Sequence, residues 1–357
     1  MNILILTTHL NTGGISRYVT NLARGLSLSN NVWIGSCGGK WAGELSAAGV
    51  RYKTVPINTK SILSPKIFLS LLILIPLVIK EKIDIIHANT RVTQFLAFLL
   101  HKACGRSYVS TFHGFYRRHI FRRLFFFEGA LSIAVSGAVA EHIKTDMGVK
   151  KEKINVVYNG ISPDDFKKRR REASRRQGKG CGVKLGILGR LSAEKGHILT
   201  LRALNLLRAK YSDISLLISG EGKLKEKLKE EVESAGLNDY VSFVSLAAQE
   251  FLDLIDILVV ASSKEGFGYS ILEAFAKDVV VVAFSTGGIK EIVKAGENGL
   301  LFYDYTPKSL AQAIEKLIAG DSLRQSLVAK ARLSLEKFSL DAMVKQTEAV
   351  YKKAMAL

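Results

Sequence analysis

The chain has 357 residues, 48% of them hydrophobic, and 51 Lys and Arg against 32 Asp and Glu give it a net charge of +19. That length and apolar share suit two cores rather than one, so two domains of roughly 170 residues are expected. Cys37, Cys104 and Cys181 stand far apart with no C-x-x-C pair. This excludes a disulfide framework and a cysteine zinc site and fits a reducing, cytoplasmic compartment.

The first residues, "MNILILTTHLNTGG", lack a basic leader, and Gly13 and Gly14 follow the short apolar run at once. They read as a first strand rather than a signal peptide. Strand-like and helix-like runs then alternate: "SRYVTNLARGL", "NVWIGS", the helical 65–80, "IDIIHA", "TQFLAFLLHKA", "SYVSTF", "LSIAVS" and "INVVYNG". A second series follows in "VKLGILG", "ISLLISG", "YVSFVS", "DILVVAS", "VVVVAF" and "GLLFY". Alternation of this kind predicts an α/β fold of two Rossmann-like, doubly wound parallel-sheet domains. The expected layout is an N-terminal domain over 1–166, a basic linker or loop over 167–182, and a C-terminal domain over 183–335. A C-terminal helix over 336–357 is expected to pack back toward the first domain.

Charge separates the two halves. Residues 1–182 hold 28 Lys and Arg against 10 Asp and Glu, a net of +18, while residues 183–357 hold 23 against 22. A bias of that size points to a polyanionic partner, nucleic acid or an anionic membrane surface, with a merely soluble basic surface as the plain alternative. The stretch "IFLSLLILIPLVI" at 67–79 is the most apolar in the chain, but its 13 residues are interrupted by Pro76. A membrane span needs about 20, so a buried or membrane-touching helix is expected. In "FYRRHIFRRLFFFEG" at 115–129, Arg117, Arg118, Arg122 and Arg123 interleave with Phe121, Phe125, Phe126 and Phe127. Such a run suits an interfacial surface, or a core helix whose arginines face water.

The densest chemistry lies in "KEGFGYSILEAFA", 264–276, where Glu265 and Glu273 stand eight positions apart around Gly266 and Gly268. An apolar strand precedes it and helical spacing follows, so the stretch reads as strand, glycine loop, helix. Glycines let the backbone approach a ligand closely, and the amides of Tyr269 and Ser270 open the helix where an anion is received. A second anion site is expected in "GRLSAEKGH", 189–197, between a strand and a helix. There Arg190 can grip phosphate oxygens as a fork and Lys195 as a point charge. Two cations and a helix N-terminus can neutralise a diphosphate without a metal. The chain has no D-x-D and no histidine cluster at ligand spacing, so no metal is expected. The loop "THLNTGGISRY" lacks G-x-G-x-x-G and a later acid for a ribose, which speaks against nicotinamide binding.

Taken together, "GRLSAEKG", "EGFGYSILEA", "STGGIKEIV" and "NGLLF" resemble, in order and spacing, the C-terminal domain of the retaining nucleotide-sugar glycosyltransferases of family 4, which have the GT-B fold. "NTGGISRYV", "IDIIHANT", "STFHGF", "AVSGAV" and "VYNGI" match that family's N-terminal landmarks, so the resemblance covers nearly the whole chain. It implies that Arg190 and Lys195 hold the donor diphosphate, with amides near Gly268 on the distal phosphate. It also implies that Glu273 accepts from the ribose hydroxyls and Glu265 from a hydroxyl of the donor sugar. His113 would face that sugar across an interdomain cleft that Gly13 and Gly14 also line. No cofactor is implied beyond the nucleoside diphosphate sugar as co-substrate.

Five residues, at three places, depart from the family's pattern. Lys277, Asp278 and Val280 replace a small residue, glycine and proline after the second glutamate's helix, so an altered helix-to-strand turn is expected. Lys290 stands for the proline of G-G-x-P-E, and Asn89 for the second histidine of D-x-x-H-x-H. Ser136 reads as a helix cap, and His87, inside an apolar strand, as a core histidine. The expected activity is transfer of a sugar to a hydroxyl of a lipid-linked or envelope-polysaccharide acceptor. The expected setting is the cytoplasmic side, peripheral at the inner face of the membrane, with an anionic membrane surface as partner and no nucleic acid. A GT-B epimerase or phosphorylase, or a nucleic-acid-binding protein, is the alternative.

Overall fold

The structure, a computed structural model, describes residues 1–11, 13–116, 126–166 and 182–357. It divides into two compact units, Met1–Gly160 with Phe338–Leu357, and Ile161–Lys337. The first boundary lies ahead of the expected residue 166. Ile161–Phe166 belong to the second unit, where the Asp165 carbonyl accepts from Gln249 Nε2 at 2.9 Å. Of the basic run 167–182, all but Gly182 lies outside the described residues.

In the first unit, β1 (Asn2–Leu6), β2 (Asn31–Ser36), β3 (Arg51–Thr54), β4 (Ile85–Ala88), β5 (Ser107–Phe112), β6 (Leu131–Ala134) and β7 (Ile154–Val156) form one sheet. Their order is β3-β2-β1-β4-β5-β6-β7, and every pair is parallel. The central strands are buried along both faces, as continuous apolar runs in a helix-covered parallel sheet must be. The helices α1 (Gly14–Leu26), α2 (Ala42–Ala47), α3 (Pro65–Lys80) and α4 (Arg91–Cys104) supply crossovers. Thr90 and Thr93 cap α4 reciprocally, and Gly105 ends it in the left-handed conformation. Ser136 accepts from the Val139 N–H at 3.1 Å and caps Gly137–Thr145. The C-terminal helix Leu340–Met355 belongs to this unit and packs on α1 and β5.

The second unit holds β8 (Lys184–Leu188), β9 (Ser215–Ser219), β10 (Val241–Val244), β11 (Ile257–Val260), β12 (Val280–Phe284) and β13 (Leu300–Phe302). Their order is β10-β9-β8-β11-β12-β13, again all parallel. Both sheets reverse strand order beside a central strand, between β1 and β4 in one and between β8 and β11 in the other. In open parallel sheets the loops leaving such strands diverge to opposite faces, and ligands bind at the strands' carboxyl ends there. The turn after Tyr269–Ala276 adopts a backbone conformation that favours glycine, although no glycine stands in it. Asp278 itself adopts φ +57°, and the Val279 N–H reaches the Ala274 carbonyl at 2.9 Å. A short polar side chain makes this conformation tolerable. Asp278 also meets Arg332 at 3.3 Å, and the buried Lys277 ammonium meets Asp253 at 2.7 Å.

Candidate functional site

In the second unit the expected residues gather at the reversal of strand order. The loop after β8 carries Arg190 and Lys195, and the loop after β11 carries Glu265 and Gly268. Two glycines, Gly196 in the loop after β8 and Gly288 in the loop after β12, let those loops close on the loop after β11. Gly196 has φ +74°, and a Cβ there would lie 2.1 Å from the Ala261 carbonyl oxygen. A Cβ on Gly288 would lie 2.3 Å from the Gly266 carbonyl oxygen, and the Gly288 N–H donates to the Glu265 carbonyl at 3.0 Å. The glycines of "EKGH" and "STGGI" are therefore packing requirements of the site.

Lys195 Nζ donates to Glu265 Oε2 at 2.6 Å, and Ser262 Oγ donates to the same oxygen at 3.2 Å. Glu265 Oε1 is left without a protein partner among the described residues, open to a ligand hydroxyl. The ammonium has three donors, so one bond to Glu265 leaves capacity for phosphate oxygens. Arg190 is exposed and, among the described residues, has no ion-pair partner. Its backbone is pinned by His197, whose Nε2 donates to the Arg190 carbonyl at 3.0 Å. Burial pushes the His197 imidazole below its ordinary value, which keeps it neutral. Gly268, at φ +113°, precedes the helix Tyr269–Ala276. Tyr269 and Ser270 begin that helix, and Glu273 lies one turn in, only 7% exposed. A surface acid serving the helix dipole would not be buried so.

In the first unit Gly13, at φ +141°, and Gly14 follow the loop after β1 and open α1 without a side-chain cap. Asn89 follows β4, and His113 follows β5. His113 Nε2 lies 3.2 Å from Asn89 Oδ1, and Asn89 Nδ2 lies 3.3 Å from the Leu6 carbonyl. A carbonyl only accepts, so the Asn89 nitrogen must face Leu6 and its oxygen His113. His113 therefore carries its proton on Nε2 and presents a lone pair on Nδ1. Its ring meets Tyr18 edge-on at 4.7 Å, and burial pushes its pKa down to about 3. A neutral ring that accepts at one nitrogen suits a contact with a hydroxyl, not with a phosphate. His87 is a core residue: Nδ1 lies 2.6 Å from the Tyr351 hydroxyl and Nε2 2.6 Å from Thr111 Oγ1.

Burial likewise pushes the His87 pKa down to about 3, with the neighbouring His113 adding to the effect. Both imidazoles bind fewer protons folded than unfolded between their folded value and about 6.5. Stability is then complete above that pH and is lost as pH falls toward the folded value, at up to about 1.4 kcal/mol per pH unit for each histidine. Urea midpoints measured between pH 7 and pH 5 should fall for the native chain, and less steeply for His87→Gln. Equal slopes would mean that His87 does not carry the effect.

Sequence reasoning brings Arg190, Lys195, Glu265, Gly268 and Glu273 to one end of one sheet, and the structure assembles them there. It missed Ser262, which lies in no motif, and His197, which ends "GRLSAEKGH" but was given no role. It noted Asn89 only as a departure, although Asn89 fixes the His113 tautomer. Among the described residues no group of three or more His, Cys, Asp and Glu is arranged to hold a metal. Phe126 stacks on Phe112 at 5.1 Å, and Phe127 packs on Phe95 and Phe98 at 4.9 and 5.1 Å. These two rings are spent inside the unit, while Arg117, Arg118, Phe121, Arg122, Arg123 and Phe125 lie outside the described residues.

The chain matches two family models in succession, Glycosyltransferase Family 4 over residues 12–165 and Glycosyl transferases group 1 over residues 170–334. It belongs to the family 4 glycosyltransferases. This glycosyltransferase is 28% identical over 301 residues to an uncharacterized glycosyltransferase of Methanocaldococcus jannaschii, covering 78% of this chain and 77% of that one. It is 28% identical over 247 residues to the amylovoran biosynthesis glycosyltransferase of Erwinia amylovora, covering 64% of this chain and 59% of that one. Among solved structures, HepE of Anabaena in complex with UDP and glucose is similar in fold. Its TM-score is 0.85 at 20% identity, with 99% of this chain and 100% of that one covered. The glycosyltransferase thus has the GT-B fold of two parallel-sheet α/β domains.

Proposed function

We propose that this family 4 glycosyltransferase moves a sugar from a nucleoside diphosphate donor to a hydroxyl of a lipid-linked or envelope-polysaccharide acceptor, with retention and without a metal. The observation that carries this reading is the convergence of Arg190, Lys195 and the N-terminal turn of Tyr269–Ala276 at the reversal of the second sheet. Two cations and a helix N-terminus together match a departing diphosphate. Glu265 Oε1 accepts a hydroxyl of the sugar and the buried Glu273 accepts from the ribose. In the transfer step the bond from the anomeric carbon to the diphosphate breaks, and the acceptor oxygen bonds that carbon on the same face. The acceptor proton passes to the leaving phosphate. Charge stabilisation and positioning supply the catalysis, and no protein nucleophile is assigned. His113, neutral with Nδ1 free to accept, contributes a hydroxyl contact. The amylovoran relative supports a polysaccharide acceptor, and the HepE complex makes UDP the first donor nucleotide to try.

A thermal-shift series of nucleoside diphosphates and their sugars tests the donor, because a ligand that binds only the folded chain raises its melting temperature by mass action. One base should stand out, and incubating its sugar with an acceptor alcohol should release free nucleoside diphosphate together with a glycoside. A bound nucleotide sugar that is only epimerised, or a sugar phosphate formed from inorganic phosphate, would replace this reading with the epimerase or phosphorylase.

A further inference from the structure

Between Ile67 and Ile79 the helix α3 is apolar except for Ser70, yet it is not buried around its whole circumference. Ile67, Ser70, Leu74 and Val78 form one buried face against the first unit's core. At 100° per residue, Pro65, Phe68, Leu69, Leu72, Pro76 and Ile79 fall on the opposite face. That outer face is open: Leu69 is 51% exposed, Leu72 66% and Ile79 62%. Leu63, just before the helix, is 75% exposed and extends the stripe. A helix facing water carries polar residues on that side, so a contiguous apolar outer face marks a contact surface.

Charge identifies the contact. Exposed Lys60 and Lys66 stand at one end of the stripe, and exposed Lys80 and Lys82 at the other. No acid occurs from Leu45 to Lys80. Glu81 is occupied by Arg51 at 3.1 Å, and Asp84 accepts from the Asn2 N–H at 2.7 Å. Apolar side chains between lysine ends match a layer with anionic phosphates above acyl chains, into which lysine stems extend and raise their ammonium groups. A second copy of the same face does not match, because a two-fold pairing of this helix would bring lysine ends against lysine ends. At 16 residues the helix is roughly 24 Å long. It lies along a surface rather than crossing one, and no helix among the described residues is long and apolar enough to cross a membrane.

We propose that the outer face of α3 docks the protein on an anionic lipid bilayer, with Phe68, Leu69, Leu72 and Ile79 entering the acyl boundary and the flanking lysines meeting lipid phosphates. The proposal goes beyond the transfer reaction, since docking needs neither donor nor acceptor, and it moves the contact away from Phe126 and Phe127, whose rings are packed within the unit.

The full chain is sedimented with phosphatidylcholine vesicles and with the same vesicles enriched in phosphatidylglycerol, at low and high salt. The native chain should bind the enriched vesicles, and salt should weaken that binding. Leu69→Ser, Leu72→Ser and Ile79→Ser combined should lower the partition coefficient at least about tenfold with an unchanged melting temperature, because these side chains are exposed. Lys66→Glu with Lys80→Glu should remove the preference for phosphatidylglycerol. Equal indifference of the native chain to both vesicles at low salt overturns the proposal, as does undiminished binding by the triple serine variant. A concentration-dependent dimer in light scattering, lost in the triple serine variant and accompanied by no vesicle binding, would overturn it in favour of a second copy.

Discussion

Arg190→Ala and Lys195→Ala should each lower turnover by about 100-fold or more, the loss expected when a charge partner of a departing group is removed. A factor of 100 corresponds to about 2.7 kcal/mol of transition-state stabilisation. The two variants should nevertheless differ. Arg190 is exposed, so Arg190→Ala leaves no carboxylate stranded and should preserve the melting temperature. Lys195→Ala removes the cation 2.6 Å from Glu265, whose side chain is only 18% exposed. It leaves that carboxylate with Ser262 as its remaining donor and should cost stability as well as turnover. A chelator should leave the activity of the native chain intact if these two cations carry the diphosphate. Loss of activity on chelation, restored by Mg2+ or Mn2+, would transfer that role to a metal. Turnover of Arg190→Ala within a few-fold of native would remove the arginine from the site.

The two-domain architecture was legible because parallel strands buried on both faces leave continuous β-branched runs, as in "ILVV" and "VVVAF". The strand β3 was not. Arg51–Thr54 is short, lies at a sheet edge, and places Arg51 and Lys53 where a buried strand would carry apolar residues. Strand edges are kept charged to discourage further pairing, and this charge hides the apolar signal. The boundary at Gly160 was misplaced because "ISPDDF" reads as loop, while the contacts that assign it to the second unit are made with residues far along the chain, as between Asp165 and Gln249.

Within the site, residue types and order could be read, but their pairings could not. Lys195 and Glu265 are 70 positions apart, and each looked like a direct ligand of the donor; the structure joins them to each other. The Asn89–His113 bond spans 24 positions and could not be anticipated from either segment. Asn89 was visible only as a missing histidine. Its part in fixing the tautomer depends on its amide nitrogen being held by the Leu6 carbonyl. The Phe run misled in the other direction. Adjacent arginines made Phe126 and Phe127 resemble an interfacial surface, while the exposed stripe of α3 had the composition of a core helix. Periodicity identified the helix but could not decide which of its apolar faces lacked a partner.

The Lys195–Glu265 pair sharpens what substitution of the two glutamates should do. Glu273 is buried one turn into the helix, and in the proposed function it serves the ribose, away from the reacting carbon. Glu273→Gln should therefore weaken binding of donor and free nucleoside diphosphate alike, through lost charge-assisted bonds to the ribose. Glu265→Gln preserves shape and a carbonyl oxygen for Ser262 and Lys195 but removes the negative charge. The lysine, no longer drawn to a full carboxylate, turns more of its charge to phosphate, so nucleoside diphosphate should bind as well as before or somewhat more tightly. Turnover should still fall by about 100-fold, because the sugar loses an oriented acceptor and the positive charge growing at its anomeric carbon loses a nearby anion. Affinities by calorimetry and single-turnover rates for both variants separate the possibilities. Weaker nucleoside diphosphate binding in Glu265→Gln would show that this glutamate acts only by holding Lys195 in place. Native kinetics in both variants would sink the site, and a swapped pattern would exchange their roles between sugar and ribose.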